Sequence, residues 1–319
     1  MARSKAVRDH SVDSPVQRIF DDILSKMDVR GRAIIVTLLC DVLRPRGETI
    51  YLSSLIGMLS VLGVNERLVR TAVFRLTRDG WLDASRTGRK AVYRVTPQGW
   101  ARIDPGCRQF YQPAGADWDG KWTLIFLDNQ RTTAEQRRIA ARILAWRGFG
   151  VVAGNVFAHP GIDLTLTSDI LGETGLAGAA IAFRAEPQDI SNTAVLGDMV
   201  ASTWKLDWLQ AEYVRLLDLF APLETCDLTR ECTPGLAFAV RLLLMHGFKE
   251  VVLRDPGLPS HLLPDDWAGY RARTLIRDLY WRLVPLSEPF VVRMLADGGD
   301  ETVREPAAWF HNRLAGPAL

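Results

Sequence analysis

Cysteine and histidine are scarce in this chain, four and five among 319 residues. Cys40, Cys107, Cys226 and Cys232 form no CxxC pair and have no histidine at finger-like spacing, which excludes a zinc finger and predicts reduced core thiols. No HExxH, HxxE, GxSxG or phosphate-loop pattern occurs, so the zinc-protease, serine-hydrolase and nucleotide-triphosphatase signatures are missing. Long apolar runs are missing as well. The most apolar segment, Leu236–Met245 (LAFAVRLLLM), is too short to span a bilayer, contains Arg241, and reads as a buried helix. Met1–Ser14 mixes Arg, Lys and Asp without an apolar stretch, unlike a secretory signal, so a cytoplasmic protein with no membrane partner is expected. No internal repeat or low-complexity tract is present.

Net charge is also small, +2 overall, but it is unevenly placed. From Arg30 through Ile103 there are thirteen basic and five acidic residues, an excess of about eight, so the remainder is mildly acidic. A local positive field of this kind attracts the DNA backbone and makes binding salt-dependent, because neutralised phosphates release counterions.

Within that segment, Asn65–Val95 (NERLVRTAVFRLTRDGWLDASRTGRKAVYRV) reads as a basic helix running into a basic hairpin. At 100° per residue Leu68, Val69, Ala72, Val73 and Leu76 share one side, while Arg67, Arg70, Thr71, Phe74 and Arg78 share the other. Asn65 suits the N-cap and Gly80 the stop. Upstream, Arg32–Leu43 and Ser53–Leu62 read as two further helices, the second joined to the basic helix through Gly63-Val64-Asn65. Downstream, Trp81–Ala84 and Ala91–Val95 pair as strands about Thr87-Gly88, flanked by Arg86, Arg89 and Lys90. This order predicts a winged helix-turn-helix. Arg67, Arg70 and Arg78 are candidates for bidentate contacts to guanine, Thr71 for smaller base contacts, and the hairpin cations for phosphates. Phe74 either faces outward toward a thymine methyl or sugar, or turns inward beside Trp81.

The expected organisation is an α+β multidomain chain. An arm at 1–29, with a helix over Ile19–Val29, precedes a winged helix-turn-helix at 30–103 and a linker at 104–119. A ferredoxin-like α+β domain at 120–190 follows, built from Trp122–Leu127, a helix Ala134–Arg147 with a Thr133/Gln136 capping box, strands Gly150–Val152 and Asn155–Ala158, a helix near Leu164–Thr174, and a strand Ala179–Arg184. Residues 191–319 are expected as an all-helical effector and dimerisation domain. There Pro222 ends one helix, Thr233-Pro234 starts a second that stops at Gly247, and Trp267–Leu283 forms a third.

The runs LGVNERLVRTAVFRLTRDGWLDASRTGRKAVYRVTPQG, WDGKWTLIF, FGVVAGNVFAHP and LRDPGLPSHLLPDDWAGYRA resemble the PaaX family of phenylacetate-pathway repressors, and the resemblance touches all three expected domains. It implies a bacterial transcriptional repressor that binds palindromic operator DNA as a homodimer and is released by phenylacetyl-CoA, not by free phenylacetate. It implies no catalytic residue, no metal and no cofactor. Asn65, Glu66, Arg67, Arg70, Arg75, Arg86 and Arg89 stand where the family's DNA-binding motif stands. No equally crisp motif marks the effector pocket.

A CoA thioester carries phosphates, an adenine and an acyl tail, so its site needs cations, flat surfaces and an apolar slot together. Candidates in the helical region are Arg241, Lys249, Arg254, Trp267, Tyr270, Arg273, Arg277, Tyr280 and Trp204, with Arg271 and Trp281 nearby. Each has a commoner reading. A lone Arg241 in an apolar helix calls for a buried ion pair, with Asp255 or Asp278 as partner. Trp204 and Trp208, four apart, suit simple packing on one face, and His246 suits a helix C-terminal cap. Two alternatives stand beside the leading reading: a repressor tuned to a different acyl-CoA, and a metal-dependent DNA-processing enzyme using Asp128 at the end of WTLIFL. Asp119, Asp128 and Asp163 are too scattered in the sequence to mark a metal site by themselves.

Overall fold

Side-chain caps at Ser14, Asn65, Thr133 and Thr233 set where four of the helices begin. The computed structural model describes residues 14–29, 31–103, 118–162, 164–187 and 193–298. The Ser14 side chain accepts from the Gln17 amide and Pro15 fills the first turn, so α1 spans Pro15–Lys26 and begins earlier than the Ile19 start expected from apolar spacing. α2 (Gly31–Leu38) runs on into a π-helical turn, Leu39–Leu43. A short strand β1 (Thr49–Tyr51), α3 (Leu52–Ser60) and α4 (Glu66–Arg78) follow. β2 (Leu82–Thr87) and β3 (Lys90–Val95) pair antiparallel around Gly88-Arg89, longer on the β2 side than expected. Gly88 has φ +60, which that tight turn requires. β1 adds to the other edge of β3, giving the order β1-β3-β2; no alternation signal in the sequence announces so short a strand. Residues 97–103 form α5.

The next segment has the strand-helix-strand-strand-helix-strand order expected of it. β4 (Trp122–Leu127), α6 (Ala134–Trp146), β5 (Gly150–Ala153), β6 (Val156–Pro160), α7 (Leu164–Thr174) and β7 (Ala180–Ala185) make a four-stranded sheet of order β5-β6-β4-β7. Every neighbouring pair is antiparallel. Thr133 and Gln136 form the capping box that starts α6. Ile125 and Leu127 point into one core with Leu144, Phe149, Phe157 and Ile170. Strand alternation sends Trp122, Leu124 and Phe126 to the opposite face. Against that face lies α8 (Thr193–Trp204): a Cβ at Gly150 would stand 2.2 Å from Thr203 and 2.8 Å from Trp204, and Trp204 Nε1 donates to Gly148 O at 3.0 Å.

The remaining helices are α9 (Leu206–Phe220), α10 (Leu228–Glu231), α11 (Pro234–Val252) and α12 (Ala268–Gly298). Three expectations are corrected here. Lys205, at φ 53, separates α8 from α9, so Trp204 is buried while Trp208 is 40% exposed, and the two do not share a face. α11 does not stop at Gly247: a Cβ there would lie 3.1 Å from Leu216 and from Met27, so this glycine serves close packing and not a C-cap. α12 continues past Leu283 through Pro285 and Pro289.

Cα proximity divides the chain into two compact units, one of Met1–Gln112, Leu216–Lys249 and Ala272–Leu319, the other of Pro113–Arg215 and Glu250–Arg271. Residues 191–319, expected as one helical domain, are therefore shared between them, because α11 and most of α12 bury their apolar faces within the unit that holds the N-terminal helices. Most of the expected linker, residues 104–117, lies outside the described residues, as does Cys107. Cys40 is disulfide-bonded, which corrects the expectation of reduced thiols throughout; such pairing depends on spatial approach, which spacing does not reveal. Cys226 and Cys232 are free, and burial pushes the Cys232 thiol up to about 12. Among the described residues no helix is long and apolar enough to cross a membrane.

His159 on β6 carries a testable consequence. Burial lowers its pKa to about 4, against a smaller opposing hydrogen bond to Pro160. The unfolded chain then binds the proton more readily, so the stability present above pH 6.5 is lost as pH falls toward 4. Up to roughly 3 kcal/mol of unfolding free energy should disappear over that window. Urea titrations at several pH values should show that His159→Leu removes this part of the slope.

Candidate nucleic-acid interface

Asn65 Oδ1 accepts from the Leu68 amide at 2.9 Å and so caps α4 as its residue type predicts. Val69, Ala72, Val73 and Leu76 are buried. Gly31 of α2 comes against Ala72 Cβ and Leu68 O, at 3.5 and 3.6 Å from the position a Cβ would take. Leu68, expected on the packed side, is 51% exposed, because it lies at the edge of the apolar stripe. Arg67, Arg70, Thr71, Arg75 and Arg78 all face solvent. Phe74 does so too, at 67% exposure, which settles its direction as outward. Thr71 Oγ1 donates to Arg67 O at 2.8 Å.

Two of these arginines are tethered by neighbouring carboxylates. Arg70 Nε donates to Glu66 at 2.8 Å, so Glu66 aligns the guanidinium along the helix. Arg78 approaches Asp79 at 3.4 Å, and Arg32 reaches the same carboxylate at 2.7 Å. Desolvation is the largest single influence on Asp79 and raises its pKa, but the hydrogen bonds and charges of Arg32 and Arg78 together outweigh it and hold the pKa below the usual carboxylate range. Sequence reading missed this brace. Arg32 stacks at 4.9 Å over Trp81 and Arg102 at 5.6 Å, while Arg102 also donates to Asp79 O at 3.2 Å. The visible signal was a tryptophan directly after the Gly80 stop, in a segment rich in arginine.

On the hairpin, Arg86, Arg89 and Lys90 are exposed, and Lys90 Nζ lies 5.8 Å above the Tyr51 ring. Helix and hairpin together present forked donors and point charges without a buried acid among them. Guanidinium forks match guanine O6/N7 and phosphate oxygens, and an ammonium matches phosphate.

The expected effector residues are not gathered in this way. Arg241 is fully buried in the first unit, paired with Asp41 at 2.8 Å and Glu288 at 2.9 Å, donating to Ser287 at 3.0 Å, and 5.2 Å from the Tyr280 ring. Tyr280 donates to Asp41 at 2.7 Å, and Arg46 bridges to Glu288. A buried ion pair was the commoner reading of Arg241, but its partners are Asp41 and Glu288, not Asp255 or Asp278. Lys249 donates to Thr37 Oγ1 at 3.1 Å and Ala33 O at 3.3 Å. His246 meets the same threonine at 3.1 Å and caps no helix end, since α11 continues beyond it. Arg273 stacks over Phe248 and Arg277 pairs with Asp278. In the second unit Trp267 packs on Tyr213, whose hydroxyl donates to Asp255; Arg254 covers Trp208; Tyr270 is 39% exposed; and Trp204 packs on Trp122. The nine candidates thus divide between two units, Arg241, Lys249, Arg273, Arg277 and Tyr280 in the first and Trp204, Arg254, Trp267 and Tyr270 in the second.

The carboxylates of the enzyme alternative are occupied elsewhere. Asp119 pairs with Arg184, and Asp128 accepts from the Gln130 amide and pairs with Arg131; Asp163 lies outside the described residues. Among the described residues no three His, Cys, Asp or Glu side chains are grouped to hold a metal ion.

Three family models match in succession: a PaaX-like protein model at residues 30–99, a PaaX protein central Cas2-like domain at 115–196, and a PaaX-like protein C-terminal domain at 204–293. The chain is 34% identical over 313 residues to the transcriptional repressor PaaX of Escherichia coli (strain K12), covering 95% of this chain and 96% of that one. The chain belongs to the PaaX family. It therefore stands among regulators and not enzymes. In fold alone it is also similar to the uncharacterized protein Rv0674 from Mycobacterium tuberculosis, with a TM-score of 0.52 and 23% identity over 79% of this chain and 96% of that one.

In this PaaX-family chain the buried network is open to direct measurement. Arg241→Ala strands Asp41 in the core without its ion pair and should cost about 3–5 kcal/mol of unfolding free energy. A loss below about 1 kcal/mol in urea denaturation would place Arg241 outside any structural ion pair.

Proposed function

We propose that this protein is a sequence-specific transcriptional repressor of a phenylacetate or related aromatic-acid catabolic operon, and that phenylacetyl-CoA releases it from its operator. The observation carrying the DNA-binding part is the exposed face of α4, where Arg67, Arg70, Thr71 and Arg78 stand in front of the Arg86, Arg89 and Lys90 hairpin. α2, α3 and α4 followed by the β2–β3 hairpin read as a winged helix-turn-helix, with α4 as the recognition helix in the major groove. Asn65, Glu66 and Arg75 support that helix or touch the backbone. The β5-β6-β4-β7 antiparallel sheet with α6 and α7 reads as a ferredoxin-like domain.

Repression fits a homodimer acting in the cytoplasm, since two-fold symmetric proteins match palindromic operators and half-site spacing becomes sensitive to dimer geometry. An acyl-CoA that stabilises a different geometry then releases DNA without chemistry. Of the effector candidates, Arg254 and Tyr270, both in the second unit, retain exposed surface and are proposed to meet the CoA portion. Arg241, Lys249 and Tyr280, engaged in polar contacts, are proposed to hold the scaffold of the first unit, and Trp204 and Trp267 that of the second.

Arg67→Ala or Arg70→Ala should weaken operator binding by about 1–3 kcal/mol and relax base preference. Lys90→Ala should lower affinity evenly across sequences and reduce the salt slope by about one. Gel-shift titrations on operator and scrambled duplexes measure both; equal, sequence-blind losses for all three would place the reading face elsewhere. Adding phenylacetyl-CoA should dissociate the operator complex, with phenylacetate and CoA as inactive controls. Release by another acyl-CoA alone would keep the repressor and change its inducer.

A further inference from the structure

At the C-terminal end of α4, arginines from three different helices gather around Asp79 and Trp81. Arg32 of α2 and Arg102 of α5 lie over the Trp81 ring, at 4.9 and 5.6 Å. Arg78, the last residue of α4, approaches the carboxylate of Asp79 that Arg32 also holds. The tryptophan is fixed from behind. Thr96 Oγ1 donates to Gly80 O at 2.7 Å, and the Thr96 amide donates to Trp81 O at 3.0 Å. A Cβ at Gly99 would collide with Trp81 O, so only glycine lets the start of α5 come this close. All three arginines are exposed, while Trp81 is half-buried.

Bracing α2 to α4 needs only the pair of Arg32 and Asp79. With Arg78 and Arg102 added there are three cations beside one carboxylate, and like charges held together repel until an anion comes between them. Stacking on an indole holds a guanidinium by its face and leaves its edge, which carries the N–H donors, directed elsewhere. Arg32 donates from one nitrogen to Asp79 and Arg102 from one nitrogen to Asp79 O; their other N–H groups have no acceptor among the described residues. Positioned forks of this kind match the paired oxygens of a phosphate. The place of the cluster narrows the source of that phosphate. Arg78 stands on the exposed side of α4 with Arg67, Arg70 and Thr71, and β2, which carries Arg86, begins directly after Trp81. The cluster is thus continuous with the basic surface of α4 and the hairpin.

We propose that Arg32, Arg78 and Arg102 form a binding site for a backbone phosphodiester of the DNA that α4 reads, with Trp81 and Asp79 holding the guanidinium groups in place. The assignment rests on the DNA-binding reading above. It gives a role to Arg32 and Arg102, which the sequence does not single out, and moves Arg78 from base contact to backbone contact because Arg78 shares its carboxylate with Arg32. The site supplies affinity without sequence preference, while Arg67 and Arg70 remain the base readers.

The test is the salt dependence of binding of the full-length protein to operator and to a mixed-sequence duplex, read by fluorescence anisotropy. Arg32→Gln and Arg102→Gln should each weaken both duplexes by the same factor. Each should also reduce the slope of log affinity against log salt by about 0.9, so that a fourfold rise in salt costs the variant about threefold less affinity than it costs the wild type. Arg102→Lys, which keeps the charge, should keep the slope. Arg102→Gln leaves the pair of Arg32 and Asp79 intact and so reports on the site without disturbing α2. Operator duplexes carrying one neutral methylphosphonate each then locate the contact. At one backbone position in each half-site, neutralisation should weaken the wild type by about threefold or more and leave the double variant Arg32→Gln/Arg102→Gln unaffected. Unchanged slopes in both glutamine variants, losses confined to operator, or a scan in which every position affects wild type and double variant alike would overturn the assignment. Release of DNA by inorganic phosphate at fixed ionic strength, with no such backbone position, would make the cluster a free-anion site and overturn it too. The two readings fail separately. If the wild type binds both duplexes equally but the slopes fall as stated, the phosphate site stands and sequence-specific repression falls. If operator preference holds with unchanged slopes, the repressor reading stands and the phosphate site falls.

Discussion

A guanidinium taken wholly out of water must be paired, and Arg241 meets that demand with groups from widely separated parts of the chain. Asp41 comes from the π-helical turn after α2, Glu288, Ser287 and Tyr280 from α12, and Arg46, bound to the same Glu288, from the loop before β1. An unpaired buried charge costs several kcal/mol, so these segments are constrained to fold together. The constraint explains why the family's three consecutive segments do not correspond to three compact bodies. The N-terminal helices and much of α11 and α12 share one interior.

That interior also orients the exposed basic face of α4. α2 packs on α4 through the close approach at Gly31, and α2 is pinned to α11 by Thr37, which meets both His246 and Lys249. The exposed arginines of α4 therefore project from a framework that includes the C-terminal helices, not from an isolated three-helix module. Glu66 and Asp79 then set the local directions of Arg70 and Arg78 at its two ends. Polar contacts of this kind specify one arrangement where apolar packing tolerates several.

Much of the architecture was legible because it is local. Asn65 as N-cap, the Thr133/Gln136 capping box, Thr233-Pro234 at the start of α11 and the alternation in β4 each act over a few residues, where side-chain chemistry alone selects the backbone. The basic outer face of α4 was equally legible, since a 3.6-residue period separates its buried and exposed sides. Gly247 misled because a glycine serves either a C-cap or a close approach, and only the neighbours Leu216 and Met27 distinguish the two. Trp204 and Trp208 misled because a single residue in a left-handed conformation, Lys205, rotates one against the other.

By itself, then, the sequence determined several helix starts, the element order of the four-stranded segment, the positive charge of Arg30–Ile103 and membership of the PaaX family, all carried by short-range pattern or by long shared runs. Only the tertiary structure decided which acids neutralise Arg241, that His246 and Lys249 meet Thr37, that Cys40 is bonded, and that Trp204 packs on Trp122. Those outcomes depend on which distant surfaces are pressed together. Burial then changes the energy of charge and hydrogen bonding far more than any neighbour in sequence can.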